Sequence, residues 1–272
     1  MTSEKWKGDY IGCLHDGKLS EANKIKRDNI PKKLYRFERV ADNRIKTLRN
    51  NQLYVSHIKG FDDPYDAKGY YWNRDELLKT FDLKQYDVTV DKYLDEIEKQ
   101  ILFWFENCFV GCFTEDINNF PMWYYYADKY QGFCVEYDFS NLTEDDEFQQ
   151  ALKPVVYLER KFDLTNTIKT VFKPENIIAD KTNAFYWLHC IGNIIKDESW
   201  EFEREWRYIT FDDDFMLSGK NVKIPVKPSH IYCGNKMNSN DFDEMRKISN
   251  ELGCGCSKIS IGDNFVKEFV VL

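Results

Sequence analysis

This 272-residue sequence has no long apolar run, no C-x-x-C pair, no phosphate-binding glycine loop and no surplus of positive charge. No stretch of about 18 apolar residues occurs, so no membrane-spanning helix is expected. The opening MTSEKWKGDY is charged and lacks the apolar core of a signal peptide. A cytoplasmic protein with reduced cysteines is the expectation. Among the eight cysteines, Cys108 and Cys112 lie four apart and Cys254 and Cys256 two apart. Those spacings suit buried small hydrophobes better than zinc ligands, and no metal is expected. G-x-S-x-G, the P-loop and G-x-G-x-x-G are all missing, which argues against serine hydrolases, kinases and dinucleotide-binding parallel sheets. The 38 Lys and Arg face 46 Asp and Glu, a net charge of −8. The long-range field therefore opposes nonspecific attraction to nucleic acid or an anionic membrane, although a local basic patch is compatible with nucleic acid.

What the sequence does have is aromatic side chains: 20 Phe, 17 Tyr and 7 Trp. They build cores and also line pockets for planar rings. Length and a hydrophobic share of 43% allow a sizeable core. Residues 1–30 are polar without a clear period and read as a loose leader or peripheral arm. Residues 31–272 read as a single α+β domain with a mainly antiparallel sheet and inserted helices.

Strand-like KLYRFERV (33–40) precedes a short helix in ADNRIKTLRN and a β-rich QLYVSH (52–57). A Gly-, Pro- and Asp-containing loop, IKGFDDPYDAKG, follows. From Asp75 to Phe105 the pattern turns helical, with Leu94, Ile97, Ile101 and Phe105 three or four apart on one face. CFVGCFTE (108–115) reads as a buried strand, PMWYYYADKY (121–130) as a helix, and GFCVEYDF (132–139) and KPVVYLE (153–159) as strands. Ile177, Ala184, Leu188, Ile191 and Ile195 predict a helix over 175–196 that contains His189 and Cys190. Neighbours on a helix point about 100° apart, so these two make no direct catalytic dyad. Strands are expected at 200–211, 222–227, 229–233, 257–261 and 265–271, with a helix at 240–252.

SWEFEREWRYITF (199–211) places Glu201, Glu203, Glu205 and Arg207 at every second position. In a strand they share one face at roughly 6.6 Å spacing, while Phe202, Trp206 and Tyr208 take the other. An exposed row of this kind is a solvated surface with weak ion pairs. An aromatic opposite face argues for an interior strand instead. Carboxylates at a pocket floor suit a reaction in which a glycosidic carbon becomes cationic.

Four motifs in order, LYRF (34–37), LYVSHIKGFDDPYD (53–66), VGCFTE with MWYYYADKYQGFCVEYD (110–138), and SWEFEREWRYI (199–209), resemble an uncharacterised bacterial family, the domain of unknown function 2971. His57 follows Ser56 where a small or polar residue is expected. Arg on a first strand, Ser opening a second and Glu-x-Glu on a later one is also similar to the arginine–serine–glutamate pattern of ADP-ribosyltransferases. That resemblance implies an ADP-ribosyltransferase-like architecture with NAD as substrate. It implies that Arg36 grips the pyrophosphate, Ser56 supports the nicotinamide ribose, Glu205 stabilises the cationic transition state and Glu203 positions or activates the acceptor. Tyr35, Trp123 or Tyr126 would stack on a ring, and Arg207 would tune the carboxylates, with His57, Asp63 and Glu201 in support. The acceptor would be protein, nucleic acid or water, in a setting such as bacterial stress or phage defence. The sequence departs from the pattern in having one serine instead of Ser-Thr-Ser, and an arginine two positions after the last glutamate.

Two other readings remain. A noncatalytic sensor would use the Arg–Glu row and PMWYYYADKYQGF to recognise a nucleotide or protein. A phosphodiesterase or nuclease would hold Mg²⁺ with Asp62, Asp63 and Asp66 beside Glu203 and Glu205, although Asp in a loop ordinarily stabilises turns.

Overall fold

The computed structural model describes residues 5–63, 65–173, 191–212, 214, 216–261 and 267–270. Most of the helix expected over 175–196, with His189 and Cys190, lies outside the described residues; within them, Ile195 instead belongs to a short strand.

Helices α1 (Lys5–His15) and α2 (Leu19–Asn29) open the described chain. The expectation over 1–30 is a loose leader or a peripheral arm; residues 5–29 hold these two helices. Tyr10, Ile11 and Leu14 form a narrow buried stripe too short to register as a period, and Trp6 stacks on Trp206 with centroids 6.0 Å apart. Lys26 is buried and donates to the Gln149 carbonyl at 2.7 Å.

Strand β1 (Lys33–Glu38), helix α3 (Asp42–Arg49) and strand β2 (Gln52–His57) follow as expected. The helical region then divides. After the short strand β3 (Tyr70–Tyr71) come α4 (Arg74–Thr80) and α5 (Val90–Glu106), which starts at the Thr89 cap and buries Leu94, Ile97, Ile101 and Phe105. Strand β4 (Cys108–Thr114) is nearly all buried. Helix α6 (Phe120–Tyr125) is shorter than expected, because Asp128, Lys129 and Tyr130 take positive φ and unwind the chain before β5 (Phe133–Asp138). The segment expected as one strand over 153–159 is shared between two sheets: α7 (Glu147–Ala151) leads into β6 (Leu152–Pro154), and β7 (Val156–Leu158) pairs elsewhere. The rest comprises β8 (Phe162–Asp163), α8 (Thr165–Val171), β9 (Ile195–Asp197), β10 (Glu205–Phe211), β11 (Gly219–Lys223), β12 (Pro228–Cys233), a helix at Ser239–Leu252, β13 (Gly255–Ile261) and β14 (Lys267–Val270).

The fold is α+β. Among the described residues, ten strands form one sheet in the order β11-β2-β4-β1-β5-β12-β13-β14, with β10 also on β4 and β6 on β10. Every ladder in it is antiparallel except β12–β13. One apolar core, built from α1, α5 and residues such as Val110 and Ile209, and another, built from Leu53, Phe113, Val135 and Trp206, cover different faces. Among the described residues no helix is long and apolar enough to cross a membrane.

The feature that shapes function is a fork at β4. Along one edge β4 pairs with β10 over its whole length. Along its other edge, β2 pairs only at Phe109 and Val110 and β1 only at Thr114. Between those points β1 and β2 diverge. Gly111 sits at the parting, where a Cβ would lie 2.6 Å from Leu53 Cδ2 and 2.9 Å from its Cγ, so any larger residue would push the Leu53 side chain of β2 aside.

Candidate functional site

A cleft of about 460 Å³ opens at the fork, within the size range of small-molecule sites. Arg36 and Tyr35 from β1, Ser56 from β2, Cys112 from β4, Tyr126 after α6, Lys196 from β9, and Glu203 and Glu205 around the start of β10 all line it. Four residues expected to meet, Arg36, Ser56, Glu203 and Glu205, do share one hollow despite their separation in sequence.

The glutamate row is not a strand row. Residues Glu198–Glu203 form a 3-10 turn capped by Asp197, whose carboxylate accepts from Ser199 N. Arg204 then adopts a left-handed conformation, φ 44 and ψ 53, before β10 begins at Glu205. A non-glycine residue there costs on the order of 1–2 kcal/mol, and tertiary bonds hold it. Glu115 N donates to the Arg204 carbonyl at 3.2 Å and Thr114 Oγ1 to the Glu203 carbonyl at 2.6 Å. The kink leaves Glu201 exposed and out of the site. It also folds Glu203 inward beside Glu205, which strand alternation alone would place further apart.

Both glutamates converge on Lys196. Its Nζ lies 2.5 Å from Glu203 Oε2 and 3.4 Å from both Glu205 Oε2 and an Asp66 oxygen. Arg207, completely buried, donates from Nε and Nη2 to the two Glu205 oxygens at 3.0 Å each, from Nη1 to the Asn193 carbonyl at 2.8 Å, and from Nη2 to Asp66 at 2.8 Å. Tyr126 donates its hydroxyl to Glu203 Oε1, and Glu205 N donates to the Tyr157 hydroxyl at 2.8 Å. The cluster holds three acids and two bases.

That imbalance separates the glutamates. Burial pushes both carboxyl groups up. For Glu205, Arg207 and Lys196 outweigh burial and hold it down at about 2. For Glu203, burial and then the neighbouring Glu205 charge prevail over Lys196, and its pKa is raised. Lys196 is pushed up in turn: burial opposes its charge, but Glu205, Asp66 and Glu203 dominate. It is therefore a fixed cation and not an amine nucleophile. Burial, then Glu205, raises the Cys112 thiol as well, so it is no ready thiolate.

Several expected residues take other places. Trp123 is core: it is completely buried, crosses Phe37 edge to face, and donates Nε1 to the Ile117 carbonyl at 2.8 Å. His57 is buried on the opposite face of β2 from Ser56, against Phe109, with Nδ1 accepting from Lys59 N at 3.2 Å. Asp63 lines the cleft while its carboxylate accepts from Tyr65 N at 2.8 Å, an ordinary turn bond. Tyr35 lines the wall, and burial, then the nearby Glu136 charge, pushes its hydroxyl pKa up. Asp66, the last acid of that loop, alone among its acids reaches the charge cluster. Lys196 had no sequence signal: IIKDE is an unremarkable run whose lysine gains meaning only beside three distant carboxylates.

No curated protein and no solved structure matches this chain. Residues 122–208 match the model of a family described as "Protein of unknown function (DUF2971)". The matched span contains Tyr126, Lys196, Glu203, Glu205 and Arg207, while Arg36, Ser56 and Asp66 lie before it. The family likeness read from the motifs is borne out over this span.

Proposed function

We propose that the cleft cleaves the N-glycosidic bond of NAD and passes ADP-ribose to a hydroxyl acceptor or to water. The observation that carries this reading is the pair of glutamates in one nucleotide-sized cleft, displaced in opposite directions from the ordinary carboxylate range. Pairs of carboxyl groups pushed apart in this way divide acid–base from electrostatic roles. Glu205 stays ionised and faces the ribose as the nicotinamide bond breaks. Nicotinamide leaves with the bonding electrons, and the anomeric carbon becomes cationic. Glu203, whose pKa burial and the Glu205 charge raise, accepts the acceptor's proton as its oxygen bonds to that carbon. Once Glu203 is deprotonated the cluster carries one net negative charge, which favours the developing cation. Tyr126 orients Glu203, and Arg207 fixes Glu205 through two bonds.

A second hollow of about 400 Å³ shares Asp63, Lys196 and Trp200 with the first and gives room for an acceptor. The phosphodiesterase reading is less well supported, because the ammonium of Lys196 lies among the carboxylates that would have to hold Mg²⁺.

The test is nicotinamide release from NAD by the purified chain and by Glu205→Gln. Release by the native protein that falls at least about a hundredfold in a folded Glu205→Gln variant supports the reading. A folded native protein that releases none, yet binds the nucleotide, is the noncatalytic sensor instead.

A further inference from the structure

Arg36 is the residue that the resemblance assigns to a pyrophosphate, but most of its donors face the protein. Nε donates to Glu38 Oε1 at 2.6 Å, Nη1 to the Cys112 carbonyl at 3.0 Å and Nη2 to the Tyr54 carbonyl at 3.3 Å. A guanidinium has five N–H groups, so two remain. Cys112 belongs to β4 and Tyr54 to β2, and both carbonyls lie at the fork where strand pairing is interrupted. Arg36 thus satisfies carbonyls that the diverging strands leave without ladder partners. It is a clamp across the fork.

Two further arginines line the same cleft. Arg39 is exposed, and among the described residues it makes no hydrogen bond or ion pair. Arg44 lies 3.4 Å from Glu38 Oε2, with its guanidinium 5.3 Å from the centre of the Tyr54 ring. The aromatic plane and Glu38 hold Arg44 in place while part of it stays open to the cleft. Arg36 and Arg44 share one carboxylate, Glu38, and among the described residues Arg39 has no acidic partner, in a chain whose net charge is −8. Planar forked donors of this kind match phosphate oxygens two at a time.

We propose that Arg39 and Arg44 form a diphosphate subsite at the mouth of the cleft, with Arg36 bridging the two strands behind it. The ligand class is the diphosphate bridge of a dinucleotide or of a nucleoside diphosphate. The assignment rests on the reading of the cleft as an NAD site, and its test is independent of turnover.

The experiment is calorimetric titration of the full chain with ADP and with adenosine, for the native protein, Arg39→Gln and the double variant Arg39→Gln/Arg44→Gln. Thermal melts verify folding. The expected result is that ADP binds the native protein more tightly than adenosine. Its affinity should fall about tenfold in Arg39→Gln, the loss of one charge-assisted contact, and further in the double variant, while adenosine affinity stays the same. Equal ADP affinity in native and double-variant proteins, or no ADP binding by the native protein, overturns the subsite. ADP binding that depends on Arg39 in a protein unable to cleave NAD keeps the subsite and removes the catalytic reading. NAD cleavage with an unchanged KM in the double variant does the reverse.

Discussion

Two arginines, the half-buried Arg36 and the fully buried Arg207, stand on β1 and β10, the strands that border β4 near Thr114. Each bonds a carboxylate two residues away on its own strand, Glu38 for one and Glu205 for the other, and each also donates to a backbone carbonyl. The local pattern is the same and the outcome differs. Arg36 keeps some exposure at the cleft mouth, and its remaining contacts join two strands. Arg207 has no exposure, and its remaining contacts are to Asp66 and Asn193 within a buried charge cluster. One guanidinium therefore organises backbone, and the other sets the ionisation of a glutamate. Nearest neighbours along the strand do not distinguish them; what the fold brings from elsewhere does.

The sharpest way to separate the two is to remove each. Arg207→Met should destabilise the protein by about 4 kcal/mol in urea denaturation, because Glu205 and Asp66 lose their buried cation. Arg36→Met should cost less, about 2 kcal/mol, the penalty for carbonyls left without donors. A larger loss for Arg36 would reverse the roles assigned here.

Lys196→Met comes next. Without its ammonium 2.5 Å away, Glu203 should rise further, and the acidic limb of the pH–rate profile for nicotinamide release should move to higher pH. A limb that stays in place would remove Lys196 from the tuning of Glu203.

Stability against pH gives a smaller but signed effect. The folded pKa of Glu205 lies below its unfolded value of about 4.3. Its stabilisation is therefore complete above that value and disappears as pH falls toward about 2. Glu203 has the opposite sign: its folded pKa is raised, so stability declines as pH climbs through that value. Melting temperatures should show Glu203→Gln losing less stability than the native protein as pH rises above the unfolded carboxylate value of about 4.3, and Glu205→Gln losing less as pH falls below it. The smallest effect is expected from Tyr126→Phe, which removes one hydrogen bond to Glu203 and should slow nicotinamide release by less than about tenfold.

How much of this was legible in the sequence depends on the range of the forces involved. Periodicity located α5 and the buried β4, since Leu94, Ile97, Ile101 and Phe105 declare a helix face without outside help. Chemistry at short spacing singled out Glu203, Glu205 and Arg207. Alternation could not foresee that Arg204 turns left-handed, and so it placed Glu201 in the site and spaced the other two too far apart. Trp123 and Tyr126 look equivalent in MWYYYADKY, yet one faces Phe37 in the core and the other Glu203 in the cleft. Lys196 and the clamp role of Arg36 depend on carboxylates and carbonyls far away in the chain, which no local pattern encodes.

The central claim is that two glutamates in one cleft titrate apart. Carboxyl ¹³C NMR titration of the labelled protein, with resonances identified by their loss in Glu203→Gln and Glu205→Gln, measures it directly. The Glu205 signal should titrate near 2, and the Glu203 signal above the ordinary carboxylate value of about 4.3. Two signals that both titrate near that ordinary value would contradict the account.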